Sequence, residues 1–313
     1  MKTAALIIMT NLPEQNGVIA SLLNAGSVSV GQRMIAAFQC AQVSRIVIVT
    51  GPDARKIRQT LAQNGVLFLR NQKCDSTSMM DSVRMGLRFL GEEYDRILIT
   101  PGDVPLFRPD TVKALVNSAA SIAVPVYSQI HGFPICVDQS AAKALLVQEE
   151  PVTLEEAVPA CPVEKAWIPI PDPGVVIRTG GLDQKKEAIA GHNELLLRPV
   201  VDISLNGVFP LYNEKLSALL HLVDETRSVR LACNLMQMSY SSAWHMLNSA
   251  EDSLGFPLIQ RLRGGSGGGS ILTEKGRRLM EAYDGFSAKI RDNANAAFEG
   301  FWQGVSADFA EKR

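Results

Sequence analysis

The chain has 313 residues, of which 46% are hydrophobic, enough apolar material for two packed cores at ordinary domain sizes. Lys+Arg is 31 and Asp+Glu is 32, a balance that excludes a blanket polyanion-coating protein but leaves room for a local basic patch. Five scattered cysteines (Cys40, Cys74, Cys136, Cys161, Cys233) without CxxC spacing exclude a disulfide framework or zinc site and point to a reducing compartment.

The apolar run Ala4–Met9 is too short for a signal peptide and has no small-residue cleavage site before Asn11-Leu-Pro-Glu, so it reads as a buried first strand. No stretch approaches the roughly 20 apolar residues a bilayer span needs, and the expected location is cytoplasmic without membrane contact. Further strands are expected at Arg45–Thr50, Val66–Leu69, Arg96–Thr100 and Ser121–Pro125. Between them, Gly31–Cys40, Ala54–Asn64, Ser78–Leu90 and Arg108–Ala119 carry helical spacing. The alternation predicts an α/β fold, a doubly wound, mostly parallel Rossmann-like sheet over residues 1–190. Ligands of such sheets bind beyond the carboxyl ends of the strands, here the loops after Met9, Thr50 and Thr100.

Several motifs in this half are ordered: Val49-Thr-Gly51, Asn71, Met79-Met-Asp-Ser82-Val-Arg-Met-Gly86-Leu, Leu98-Ile-Thr-Pro101-Gly-Asp103-Val-Pro105-Leu and His131-Gly-Phe-Pro134. Together they resemble the MobA-like NTP transferases, the molybdopterin cytidylyltransferases in particular. The resemblance implies a nucleotide pocket formed by Thr10, Asn11, Ser82, Gly102 and Asp103, with Mg2+ on Asp103 when nucleotide binds. A plainer alternative for Asp103 is a turn carboxylate bonding backbone amides, and His131 reads as a loop residue.

Against the family pattern, the loop Ile8-Met9-Thr10-Asn11-Leu12-Pro13 lacks the glycines and arginine. Ala20 stands where the lysine belongs, and Arg178-Thr-Gly-Gly replaces the late carboxylate turn. Transfer to phosphorus needs those charges, so the expectation is a retained pocket with catalysis largely lost and no assignable catalytic residue.

The polar stretch at 183–196 reads as a domain boundary, and residues 194–313 as a second domain. Leu197–Leu205 and Val208–Leu211 flank Asn206-Gly207, a hairpin signal. Helices are expected at Glu214–Glu225, from Ser228 through Leu235 burying Val229, Ala232 and Leu235, and from a Ser239 cap to Leu254. The third is expected to bury Tyr240, Ala243, Trp244 and Leu247 and to show Ser241, Ser242, His245, Asn248 and Ser249 outward. Two short helices across a tight turn make a helix-turn-helix, with a plain helical bundle as the alternative. Phe256–Leu262 and Ser270–Thr273 then flank Gly264-Gly-Ser-Gly-Gly-Gly-Ser270. Alone that run would pass for a flexible linker; between two strand-like segments it reads as a wing, with Arg261 and Arg263 against phosphate. Arg227 to Arg278 holds seven basic residues against three acidic.

Leu219-Leu-His-Leu-Val-Asp-Glu-Thr-Arg-Ser228, Met238-Ser-Tyr-Ser-Ser-Ala-Trp244 and Gly255-Phe-Pro-Leu resemble the DNA-binding domain of ModE, the molybdate-responsive regulator with a LysR-like winged helix. The resemblance implies a homodimer on double-stranded DNA, with Ser239, Ser241, Ser242, His245, Asn248, Arg261 and Arg263 at the interface. The long helix after Thr273 carries Leu279, Tyr283, Phe286, Ile290, Ala294, Ala297, Phe301 and Val305 in one stripe, expected to pair with a second copy. The segment to Arg313 is too short for the molybdate-binding domains of such regulators, so the signal is expected to enter elsewhere. The function expected is a regulator tied to molybdenum cofactor metabolism, its first domain sensing a nucleotide, pterin or cofactor-related ligand. The alternative is an active molybdopterin nucleotidyltransferase, using CTP or GTP, that carries a regulatory domain.

Overall fold

The computed structural model describes residues 1–313 except 11, 16, 62–65, 149–152, 181, 208–209, 237, 263–268 and 311–313. It divides into two compact units, Met1–Leu197 and Arg198–Arg313.

The first unit is built on β1 (Thr3–Met9), buried at all seven positions. An apolar strand buried on both faces needs neighbours on both edges. It pairs in parallel with β2 (Arg45–Thr50), reached through α1 (Val30–Cys40), and with β4 (Arg96–Pro101). Beyond β2, after α2 (Ala54–Leu61), lies β3 (Leu67–Arg70), also parallel. The chain therefore moves outward to β3, crosses back through α3 (Met79–Leu90) and re-enters on the other side of β1. That reversal places a crevice between the carboxyl ends of β1 and β4.

After α4 (Pro109–Val116) come β5 (Ile122–Tyr127), β6 (Ile130–His131) and β7 (Ile135–Asp138). The β7 strand runs antiparallel between β4 and β5, and α5 (Gln139–Val147) and α6 (Leu154–Ala160) lead to β8 (Lys165–Pro169), parallel to β5. The result is an eight-stranded, mostly parallel sheet.

Local chemistry explains the helix starts. Ser29 and Gln32 form a reciprocal capping box on α1, and Ser78 and Asp81 form another on α3. Gly86 lets α3 lie against β1, since a Cβ there would stand 2.2 Å from Leu6 Cδ1. Gly174 is tighter, for its Cβ would fall 1.8 Å from the Leu106 carbonyl oxygen.

The polar stretch expected to be a boundary is instead α7 (Lys186–Glu194), part of the first unit. Its reason is a buried cation. Arg33 in α1 is fully buried and donates to Ala25 O at 2.5 Å, Asn193 Oδ1 at 2.7 Å and His192 Nδ1 at 3.1 Å. The other His192 nitrogen therefore donates to Phe107 O at 2.8 Å, which fixes a neutral tautomer.

The second unit opens with a short hairpin, β9 (Ser204–Asn206) and β10 (Pro210–Asn213). The expected strand from Leu197 shrinks to three residues because Pro199 cannot donate to a ladder, and Val208 lies outside the described residues. There follow α8 (Glu214–Thr226), α9 (Val229–Met236) and α10 (Tyr240–Leu254). The wing strands are β11 (Ile259–Arg261) and β12 (Ser270–Leu272), shorter than expected since Pro257 again lacks an N–H. A 37-residue helix, α11 (Glu274–Ala310), ends the unit. Its packed face is Gly276, Met280, Tyr283 and Ser287. Of the expected stripe, Tyr283 is buried, Leu279, Ile290 and Ala294 are half-buried, and Phe286, Ala297 and Phe301 are exposed. The Val305 side chain lies outside the described residues. Asp224 grips Arg277 with two 2.6 Å bonds, tying α8 to α11.

Burial holds the His192 imidazole below its ordinary value, with the Arg33 charge acting the same way against the pull of the Phe107 carbonyl. The unfolded chain then binds the extra proton more tightly. The stability that neutral His192 contributes to the first unit is present above about pH 6.5 and is lost as pH falls through the depressed folded value. Urea melts of the wild-type chain should show this loss, and His192→Gln should flatten it.

Candidate functional site

At the carboxyl ends of β1 and β3, hydroxyls and one amide form a closed network. Thr10 Oγ1 donates to Ser82 Oγ at 3.2 Å, and Asn71 Nδ2 donates to Ser82 Oγ at 3.1 Å and Thr77 Oγ1 at 3.0 Å. Ser82 is fully buried and Thr10 nearly so. The structure thus brings Thr10 and Ser82 together and spends their hydroxyls on one another. Asn11 lies outside the described residues. Gly102 follows β4, and its N–H donates to Ile8 O at 2.8 Å, so the β4 turn is sewn to β1. A Cβ at Gly102 would meet Met9 Cγ at 2.7 Å.

Asp103 is buried next to this turn, and its partner is not a backbone amide. Both of its oxygens accept from Arg178 Nη1, at 3.0 and 3.1 Å, while Arg178 Nη2 reaches Glu155 Oε1 at 3.0 Å. The guanidinium also lies over the Phe133 ring, 5.5 Å from its centre. The expectation that Asp103 holds Mg2+ meets this arrangement directly. Mg2+ demands near-octahedral oxygen ligands. A unit charge 4 Å from another repels it by on the order of 4 kcal/mol in partly polar protein, and a divalent ion doubles that before solvent screening. The donor set around Asp103 therefore does not fit a divalent cation while Arg178 is seated. The other late carboxylate, Asp172, is consumed structurally by Arg108 N at 2.8 Å, Thr111 Oγ1 at 2.6 Å and Gly174 N at 2.9 Å. Ala20 is buried in a 3-10 turn. His131, the expected loop residue, stacks on exposed Trp167 at 4.3 Å beside a small cavity that Phe133 and Glu155 also line.

In the second unit, Ser239 Oγ accepts from Ser242 N at 3.0 Å and opens α10. Ser241, Ser242, His245 and Asn248 are exposed along its outer face, whereas Ala243, Leu247 and Ala250 face the core. Glu251 Oε1 accepts from Leu258 N at 2.6 Å and Ile259 N at 3.1 Å, so the end of this helix holds the start of the wing. Arg261 stacks on the Trp244 ring at 4.3 Å, which ties the wing's cation to the same helix. Arg263 lies outside the described residues.

Three expectations of burial fail. Tyr240 is 46% exposed because it occupies the first helical position, beyond the edge of the core. Trp244 is half-buried, and so is Leu235, since α9 begins at Val229 and turns Cys233 and Met236 inward instead. Tyr240 meets Trp244 edge-on at 6.0 Å and carries Arg230 at 5.8 Å. The sequence reading missed Tyr240 and Arg230 as surface groups; the signal available was the position of Tyr240 directly after the cap.

Comparison with known proteins matches the two units separately. Residues 20–157 match the family of the MobA-like NTP transferase domain. Residues 215–277 match the bacterial regulatory helix-turn-helix proteins of the lysR family. The chain joins a MobA-like NTP transferase domain to a LysR-type helix-turn-helix. Transcriptional regulator ModE of Yersinia pestis is 38% identical over 68 residues, 21% of this chain and 26% of the regulator. Molybdenum-pterin-binding protein MopB of Rhodobacter capsulatus is 32% identical over 74 residues, 23% of this chain and 27% of its own. The chain spans about a quarter of the length of the curated relatives it matches. A solved nucleotidyl transferase from Methanothermobacter thermautotroptrophicus superposes with a TM-score of 0.51 at 16% identity, covering 61% of this chain and 98% of that one, a likeness of fold. Among the described residues no helix is long and apolar enough to cross a membrane.

If Ser82 serves the fold, Ser82→Ala should strand the Thr10 hydroxyl and the Asn71 amide at a cost of about 1–3 kcal/mol. A denaturant titration of the transferase-like domain checks this; an unchanged midpoint would release Ser82 for a ligand.

Proposed function

We propose that this protein is a DNA-binding transcriptional regulator whose transferase-like domain senses a small ligand and no longer catalyses nucleotidyl transfer. The observation that carries the proposal is the outer face of α10, where Ser241, Ser242, His245 and Asn248 stand exposed behind the Ser239 cap with Arg261 pinned alongside. Short polar side chains on the first turns of such a helix reach base edges in the major groove, and a neighbouring arginine neutralises phosphate. Double-stranded DNA is thus the first partner, with Arg263 assigned beside Arg261 from its place in the sequence.

The second partner is another copy of the chain. The α11 helix runs ~55 Å at 1.5 Å per residue, and it leaves Phe286, Phe301 and Trp302 exposed at 46%, 60% and 38%. So long an apolar edge suits an isologous interface, and a two-fold protein reads a pseudo-palindrome. The link to molybdenum metabolism is supported by the names of the relatives, which include a molybdenum transport protein and a molybdenum-pterin-binding protein. A nucleotide, a pterin or a cofactor-related molecule is the ligand class for the sensor, and the cytoplasm is the fitting location. Control by a ligand requires that it bind the two states of the dimer with different affinity.

Fluorescence anisotropy with the promoter of the chain's own operon tests the reading. His245→Ala and Asn248→Ala should each cost about 1–3 kcal/mol on the preferred site and little on random duplex. Arg261→Ala should weaken both duplexes equally and lower the salt slope by about 1. A full chain with no affinity for any duplex at low salt would overturn the regulator assignment, while CTP or GTP turnover with Mg2+ would restore the transferase as the working activity. Phe286→Glu should shift the chain from dimer to monomer in light scattering.

A further inference from the structure

We propose that Arg178 is a built-in replacement for a divalent cation: Asp103 and Glu155 form a latent metal site that this guanidinium fills, and the domain accordingly takes its ligand without metal and rejects a metal–triphosphate complex. The inference rests on the reading of the first unit as a non-catalytic sensor and specifies what that sensor accepts.

Three features of geometry carry it. One guanidinium bridges two carboxylates from separate segments, Asp103 after β4 and Glu155 in the first turn of α6, with every nitrogen–oxygen distance at 3.0 or 3.1 Å. Bridging carboxylates from different elements is what a hard divalent ion does at such a crevice. The burial is asymmetric. The Asp103 side chain is 8% exposed and that of Arg178 46%, so the carboxylate is fixed in the floor and the cation enters from the open side. The seat is also prepared, because Thr179 N donates to Asp103 O at 2.9 Å and Phe133 presents its ring face to the guanidinium. Thr179 N–H and Arg178 thus both come from one short segment that closes on Asp103.

The charge sum follows. Asp103 and Glu155 contribute −2 and Arg178 contributes +1, leaving −1 at the crevice, where a divalent ion would leave it neutral. A bare triphosphate meets net negative charge there, and a metal–triphosphate complex finds the two carboxylates that its metal would use already occupied by Arg178. The sensor's ligand is then a molecule that does not arrive as a chelate, such as a heterocycle with at most a single phosphate.

Mn2+ binding followed by electron paramagnetic resonance on the full chain tests the assignment. Wild type and Asp103→Asn should bind Mn2+ equally weakly. Arg178→Ala should bind at least tenfold more tightly than wild type, and adding Asp103→Asn should cancel the gain. Arg178→Ala that keeps its circular dichroism melt and gains no Mn2+ would overturn the proposal. Should that variant fail to fold, the wild-type pair decides: Mn2+ affinity in wild type that disappears in Asp103→Asn would overturn it. Calorimetry of wild type with CTP should show no binding that Mg2+ strengthens; a tenfold enhancement by Mg2+ would also overturn it. CTP turnover would sink the sensor reading as well, whereas Mn2+ held by Asp103 without turnover would sink this inference alone.

Discussion

A strand buried along its whole length must find hydrogen-bonding partners on both edges, and β1 meets that demand with parallel neighbours on each side. Everything in the first unit depends on this. The parallel pairing forces crossover helices, the chain reverses direction between β3 and β4 to fill the other edge of β1, and the reversal opens the crevice where Thr10, Gly102 and Asp103 emerge. The Gly102 N–H bonded to Ile8 O shows how directly the crevice floor hangs from that strand.

The groups at the crevice are bonded mainly to one another. Nucleotidyl transfer needs cations and backbone donors that neutralise developing charge. Here Ala20 is buried, and the hydroxyls of Thr10 and Ser82 are bonded to each other. Asp103 is answered from within the chain by Arg178. These hydroxyls and this carboxylate are thus bonded within the protein itself. The second unit shows the opposite tendency. Its polar groups on α10 point outward, while its internal pairs join its elements: Asp224 with Arg277 ties α8 to α11, and Glu251 holds the wing backbone.

Much of the architecture was legible from residue pattern. Apolar runs such as Ala4–Met9 and Ile46–Val49 mark central strands, and Ser228 and Ser239 sit at helix starts with their side chains accepting from Leu231 N and Ser242 N as caps. Less legible was anything decided by distant contact. The α7 helix looks like a linker because its composition is polar, and only the burial of Arg33 against His192 and Asn193, about 160 residues away in sequence, makes it part of the core. The β6, β7 and β8 strands are short, and the connections between them carry no strong signal of pairing. Arg178 was visible as a departure from a family pattern, but its contact with both oxygens of Asp103 depends on a fold that brings positions 75 residues apart together. Tyr240 fits the apolar period of α10 and yet escapes the core, because periodicity does not report where a core ends.

Gly174 shows what such a scaffold is free to lose. A methyl group at that position would collide with the Leu106 carbonyl at 1.8 Å, so packing alone forbids any other residue there. No comparable steric veto guards a surface lysine or a phosphate-facing loop, whose removal leaves every backbone contact intact. Architecture and chemistry are thus enforced by different residues under different penalties, and the close approach at Gly174 fixes the fold whatever groups line the crevice.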